Sequence, residues 1–166
     1  MQLPPASVIL SWPTPNYVDP TDVRGPELLI IQLTFLPIAL ILVALRMYTR
    51  LRLSRSFGVD DVFVLAAAIP ATACTALFPY VVRHLGWDRH IWDVPIDLLS
   101  PGLQMTIVLA TLFAVSVSCT KLSLLILIRR LMSTGTGILY HVTTAGIIIV
   151  ACEGFVFVVV VIFTCR

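Results

Sequence analysis

The stretch "ELLIIQLTFLPIALILVAL", residues 27–45, decides the fold class. It is 19 residues long and carries no charged side chain after Glu27. An α-helix rises 1.5 Å per residue, so about 20 apolar residues are needed to cross a bilayer core of about 30 Å. A barrel strand would be about 10 residues long and would alternate apolar with polar side chains. The stretch therefore predicts a transmembrane helix, which Pro37 would kink.

Three further apolar runs of similar or greater length follow the first. They cover residues 62–82, 103–128 and 138–164. The chain is 58% hydrophobic and 12% charged, whereas a soluble domain is about 25% charged. These features predict an all-α membrane protein with four transmembrane helices, whose main partner is the lipid bilayer. The net charge of +2 is too small to indicate nucleic acid binding.

The residues before the first run are rich in proline. Residues 1–26 contain no basic region ahead of their short apolar patch, which argues against a cleaved signal peptide. We therefore expect an extracellular N-terminal tail over residues 1–26 and a transmembrane domain over residues 27–166.

The arginines are distributed unevenly among the segments that connect the four apolar runs. Six of them lie between the first and second runs or between the third and fourth, namely Arg46, Arg50, Arg52, Arg55, Arg129 and Arg130. The positive-inside rule places these connections in the cytoplasm and the N-terminus outside. We expect a multi-pass protein of the plasma membrane with both ends outside.

Two charged side chains lie deep within the apolar runs. Lys121 is about 12 Å along its helix from Arg129. An ion at the bilayer centre costs roughly 2.5 to 3.5 kcal/mol, so we expect Lys121 to point into the bundle, either as a ligand contact or as a structural group between helices. Glu153, measured from the helix ends, lies about 10 Å from the level of Lys121. It either pairs with Lys121 or is protonated and neutral.

The segment "FGVDDV", residues 57–62, has the composition of a helix start. Gly58 permits a turn, and Asp60 or Asp61 can cap the exposed amide groups at the positive helix end. The same carboxylates can instead form a cytoplasmic latch that opens on activation. The candidate partners in such a latch are Arg46, Arg50 and Arg52.

The connection "RHLGWDRHIWDVP", residues 83–95, collects polar and aromatic side chains. The candidates for a ligand or pH-sensing contact are His84, His90, Trp92 and Asp93. The alternative is an interfacial loop held at the membrane surface by its tryptophans. The spacing matches no metal site, and the chain contains no HExxH, no GxSxG and no phosphate-binding glycine loop. We therefore expect no metal, no cofactor and no enzyme activity, and a binding or signalling role instead.

Four motifs, in this order, resemble the fungal rhodopsin-domain family. They are "RMYTRLRLSRSFGVDDVFVL" (46–65), "GWDRHIWDVP" (86–95), "TKLSLLILIRRL" (120–131) and "FTCR" (163–166). That family includes receptor candidates and membrane proteins of secondary-metabolite clusters. The resemblance implies a seven-helix protein with an outside N-terminus, of which this chain is a fragment that ends after the fourth helix. It does not imply retinal, because the lysine that binds retinal in rhodopsins lies in the last helix.

Two functions are consistent with these features. The first is a receptor-like sensor of an extracellular small molecule, with the arginine-rich connection as output to a G protein or to other membrane helices. The second is a transporter or a membrane component of a secondary-metabolite cluster. A transporter should show a polar path across the bilayer and often an internal repeat. The sequence shows neither feature clearly.

Overall fold

The structure, a computed structural model, describes residues 5–17, 23, 27–132 and 137–164. Its elements are a short helix α1 (Ala6–Ile9) and four long helices, α2 (Glu27–Tyr48), α3 (Val59–Leu85), α4 (Ile96–Leu131) and α5 (Gly137–Thr164). The described residues form no strand, and all four long helices are long and apolar enough to cross a membrane. The predicted all-α membrane fold with four transmembrane helices is therefore confirmed. Cys165 and Arg166, which follow the predicted fourth helix, lie outside the described residues.

The helices extend beyond the apolar runs that predicted them. α2 continues into a π-helical turn at Thr49–Leu53, and α4 begins at Ile96 instead of residue 103. The apolar runs mark the hydrocarbon core, whereas a helix can continue through the headgroup region, where polar side chains are solvated. The extensions therefore place Arg50, Arg52, Arg129 and Arg130 on helical backbone, whereas Arg55 lies in the loop that follows.

The helices pack in chain order. The contact between α3 and α4 is the most extensive, followed by α4 with α5 and α2 with α3. The small apolar core centres on Val81, Leu85 and Leu109, where α3 meets α4. Among the described residues, α2 and α5 bury no hydrophobic side chain. Helices that are apolar on every side and uncovered by protein are expected to face lipid.

Two serine hydroxyls fix α4 against α3. Ser116 Oγ donates to the Ala67 carbonyl at 3.0 Å, and Ser123 Oγ donates to the Asp60 carbonyl at 2.7 Å. Hydroxyl bonds between helices are a common source of specificity inside a membrane. Lys121 lies two residues before Ser123, which is about 200° around the helix. It therefore lies on the side of α4 that faces α5.

Candidate functional site

Lys121 and Glu153 form an ion pair between α4 and α5. The Lys121 ammonium lies 3.3 Å from Glu153 Oε2 and 3.4 Å from Oε1. The two side chains are 46% and 60% exposed, respectively. The pair thus lies on a face of the four described helices and is not enclosed by them. The contact of Lys121 with a carboxylate of a neighbouring helix agrees with the expectation. Its orientation into the bundle stays a prediction, because the described helices leave the side chain half exposed.

The expected axial offset of about 10 Å between these two residues was too large. Ser118 lies against Gly154, where an added Cβ would be 3.1 Å from Ser118 Oγ. Lys121 is three residues beyond Ser118, so its backbone is about 4.5 Å from the level of Gly154 and only about 3 Å from that of Glu153. Side chains lean toward the start of their own helix, and α4 and α5 are antiparallel. The two charged groups therefore lean toward each other.

The ion pair lines an apolar groove between α4 and α5. The groove has a volume of about 350 Å³. Its other lining residues are Ala110, Phe113, Ala114, Val117, Ser118, Gly154 and Phe157. Alanine and glycine leave the space open, and the phenylalanines provide aromatic walls. An apolar pocket with few, convergent polar groups is typical of a small-molecule site.

The second charged site lies where α2 and α4 end and α3 begins. We call this end of the helices the arginine-rich end. Asp60 and Asp61 are buried there, with side chains 1% and 0% exposed. Arg46 donates from Nη2 to Asp60 Oδ2 at 2.8 Å and from Nε to Asp61 Oδ1 at 3.0 Å. Arg50 lies 3.6 and 3.8 Å from the same two oxygens. The expected proximity of these acids and arginines is confirmed, whereas the opening of a latch stays a prediction.

Asp61 also caps α3, which begins at Val59. Its Oδ2 accepts the Gly58 N–H at 3.1 Å, while the Asp61 N–H donates to the Gly58 carbonyl at 3.1 Å. The Asp61 carboxylate thus makes the third-residue half of a capping box, while the backbone carbonyl of Gly58, which has no side chain, accepts the other bond. The capping and ion-pairing interpretations of "FGVDDV" therefore apply to the same residue and do not exclude each other.

Arg130 is a further member of this site that the sequence analysis did not single out as a candidate. Its Nη1 donates to the Ser56 carbonyl at 3.0 Å and lies 3.5 Å from Asp60 Oδ1. Gly58 leaves the space for it, since an added Cβ would lie 2.6 Å from Arg130 Nη1. The sequence feature that could have identified Arg130 is its predicted position at the same membrane surface as the two aspartates. We call Arg46, Arg50, Asp60, Asp61 and Arg130 the arginine–aspartate cluster.

Arg52 does not join the cluster. It is exposed and forms no ion pair within the part of the chain that the structure describes. Arg46 and Arg50 are four residues apart and share a helix face, whereas Arg52 is only two residues beyond Arg50. The helical spacing therefore directs Arg52 away from the aspartates.

At the opposite end, the connection between α3 and α4 forms a 3₁₀ turn at Ile91–Asp93. Asp93 is buried, and its Oδ1 accepts the Asn16 N–H at 3.0 Å. His90 stacks on Trp92 with ring centroids 4.4 Å apart. His84 instead lies in the last turn of α3 beside Tyr80. The structure thus joins three of the four candidates in one turn and separates His84 from them; their ligand role stays a prediction.

A family model described as the fungal rhodopsin domain matches residues 45–166. The matched range includes α3, α4 and α5, and so contains the groove and the whole arginine–aspartate cluster. Comparison with curated proteins found no match, and comparison with solved structures found none either.

Proposed function

From the premise that the chain belongs to the fungal rhodopsin-domain family, we propose that this multi-pass membrane protein senses an extracellular small molecule. The observation that carries the proposal is the ion pair of Lys121 and Glu153 in the groove between α4 and α5. Ionisable side chains within membrane-spanning helices are costly to place in hydrocarbon and commonly mark a ligand or ion site.

The groove suits a largely apolar molecule with one polar group. Its apolar walls would bury the body of such a ligand, as in most small-molecule pockets. The Lys121 ammonium can donate to a carbonyl or carboxylate, and the Glu153 carboxylate can accept from a hydroxyl. Ala110 and Phe113 lie nearer the start of α4 than Lys121 does. If the positive-inside rule sets the topology, that side of the groove is the extracellular one.

Helix α4 provides a route from the groove to the arginine–aspartate cluster. Lys121 faces α5, while Ser123 and Arg130 of the same helix contact the Asp60 carbonyl and carboxylate. A ligand that separates Lys121 from Glu153 would loosen α4 from α5 and change the position of Arg130. Such a change requires two arrangements of α4, which ligand binding would bias. A cytoplasmic partner such as a G protein would read the state of the arginine-rich end.

Ligand binding to the purified chain in lipid nanodiscs tests this function. We would screen apolar carboxylic acids, ketones and alcohols by the thermal shift of the protein. A ligand of the groove should raise the midpoint of wild type but not of Lys121→Met or Glu153→Gln. Leu124→Met, at an exposed position of α4 outside the groove, is the control and should respond like wild type.

Two results would contradict the proposal. A compound that stabilises Lys121→Met as much as wild type binds elsewhere. Accumulation of the compound inside proteoliposomes, driven by an ion gradient, would favour the transporter function instead.

A further inference from the structure

Charge is distributed unevenly between the two ends of the described helices. The arginine-rich end has six arginines and two aspartates, which give a net charge of +4: Arg46, Arg50, Arg52, Arg55, Arg129, Arg130, Asp60 and Asp61. The opposite end has two arginines and four acids, which give −2: Arg83, Arg89, Glu27, Asp88, Asp93 and Asp97. The arginine-rich end is therefore a strongly cationic surface even after its aspartates are counted.

The arginine–aspartate cluster leaves part of this charge unmatched. Three guanidinium groups share two carboxylates, and Arg46 makes the shortest contacts with both. Arg130 lies 3.5 Å from Asp60 and is the most exposed of the three, with its side chain 43% exposed against 25% for Arg46 and 23% for Arg50. The carboxylates thus neutralise the buried part of the cluster and leave Arg130 available to an anion.

The loop between α2 and α3 brings the cationic groups together around Ser56. Arg50 Nη1 donates to Ser56 Oγ at 3.2 Å, and Arg130 Nη1 donates to the Ser56 carbonyl at 3.0 Å. Arg55, the preceding residue, has a φ of 43°, which is uncommon for a residue other than glycine. Arg52 and Arg55 are exposed. Guanidinium groups from two parts of the fold, Arg50 and Arg130, therefore meet at Ser56, and the exposed Arg55 is its neighbour in the chain.

Apolar side chains alternate with the arginines of this segment. Leu51, Leu53 and Phe57 are all exposed, in the run "RLRLSRSF" from residue 50 to residue 57. A soluble anion would need only the arginines, whereas a lipid offers both a phosphate for the arginines and acyl chains for the leucines and phenylalanine. Apolar and cationic side chains in one segment are typical of contact with an anionic membrane surface.

We propose that the arginine-rich end binds the phosphate headgroup of an anionic phospholipid through Arg52, Arg55 and Arg130. The planar guanidinium group matches phosphate oxygens in a bidentate manner. Basic groups at the cytoplasmic end of a membrane helix attract anionic lipids. The site is separate from the groove between α4 and α5, so it stands whether or not that groove binds a ligand.

Lipid titration of the purified full chain tests the proposal. The protein in zwitterionic nanodiscs would be titrated with fluorescent phosphatidic acid. Phosphatidylcholine, which is zwitterionic and has no net charge, would serve as the reference lipid. Arg52→Gln should weaken phosphatidic acid binding about fivefold, and Arg52→Gln with Arg55→Gln about 25-fold. Arg83→Gln is the matched control, because it removes an exposed arginine at the opposite end. It should bind like wild type.

Three outcomes would overturn the proposal. Equal weakening by Arg83→Gln and Arg52→Gln would mean that only overall charge matters. Wild-type affinity for phosphatidic acid in the variant with Arg52→Gln and Arg55→Gln would show that these arginines do not form the binding site. Displacement of the lipid by an equal concentration of inorganic phosphate would show a small-anion site instead. Circular dichroism of each variant, with unchanged helicity, establishes that the loss of binding is not a loss of fold.

Discussion

The hydroxyl of Ser123 donates a 2.7 Å hydrogen bond to the backbone carbonyl of Asp60, so the C-terminal third of α4 is fixed to the first turn of α3. The hydroxyl is buried, and the aspartate that it contacts through the backbone also holds Arg46 through its side chain. Two residues before Ser123, on the other side of α4, Lys121 holds α5. Helix α4 is therefore restrained on opposite sides by two polar contacts at similar depth.

Removal of this hydroxyl should destabilise the bundle slightly. Ser123→Ala deletes the bond and leaves a small void. We expect a loss of about 0.6 kcal/mol in the free energy of unfolding, the average for such bonds between membrane helices, and no more than about 1.7 kcal/mol, the largest value found. The measurement is equilibrium unfolding in mixed micelles. Thr120→Ala is the control, because within the described residues Thr120 bonds only to the Ser116 carbonyl of its own helix. A loss for Thr120→Ala as large as for Ser123→Ala would contradict the bridging role.

Gly58 is expected to be essential for the arginine–aspartate cluster. A Cβ at this position would overlap Asp60 Oδ1 and lie 2.6 Å from Arg130 Nη1. Gly58→Ala should therefore displace Arg130 and cost about 1 to 3 kcal/mol in the free energy of unfolding, as overpacking does. Gly102→Ala is the matched control, since nothing lies within 4 Å of its added Cβ. That variant should be neutral or more stable by about 0.5 to 1 kcal/mol, because alanine is the better helix former.

Two arginines of one connection should differ sharply in their effect on stability. Arg46→Gln removes two charge-assisted bonds to buried carboxylates, and we expect it to cost about 2 to 3 kcal/mol in the free energy of unfolding. Arg52→Gln removes an exposed side chain outside the cluster and should change this free energy by less than about 0.5 kcal/mol. Both variants lose one positive charge, so net charge alone predicts equal effects. Equal unfolding free energies in micelles would show that Arg50 alone can hold both aspartates.

The sequence predicted the four helices and most members of the arginine–aspartate cluster. It predicted less well the direction in which individual side chains point. Apolar runs identified all four helices, and acids beside a basic connection identified most of the cluster. Of the three candidate partners of the aspartates, Arg46 and Arg50 join the cluster and Arg52 does not, as the four-residue spacing of the first two indicates. Arg130 is 70 residues from Asp60 in the chain, so only the packing of α3 on α4 could reveal their contact.

The level of Glu153 relative to Lys121 could not be predicted from the helix ends. Two antiparallel helices can slide along each other, and the contact of Gly154 with Ser118 fixes their register here. A single glycine within an apolar helix gives no sign in the sequence of which residue will pack on it. The direction in which each charged side chain leans was predictable from its own helix. Whether the two side chains meet depends on the register of α4 and α5.

The ion pair itself should behave as a unit in a double-mutant cycle. Lys121→Met leaves the Glu153 carboxylate without its partner in apolar surroundings, and Glu153→Met does the same to the Lys121 ammonium. Each single change should therefore destabilise the protein. The variant with both methionines should be close to wild type or more stable, which gives a coupling of about 1 to 3 kcal/mol in the free energy of unfolding. Exchange of the two charges, Lys121→Glu with Glu153→Lys, should restore most of the loss, because both positions still lean toward each other. Unfolding in mixed micelles at fixed pH measures all four corners of the cycle. If Glu153 were instead neutral and unpaired in the wild type, Lys121→Met would leave stability unchanged and the two single effects would add without coupling.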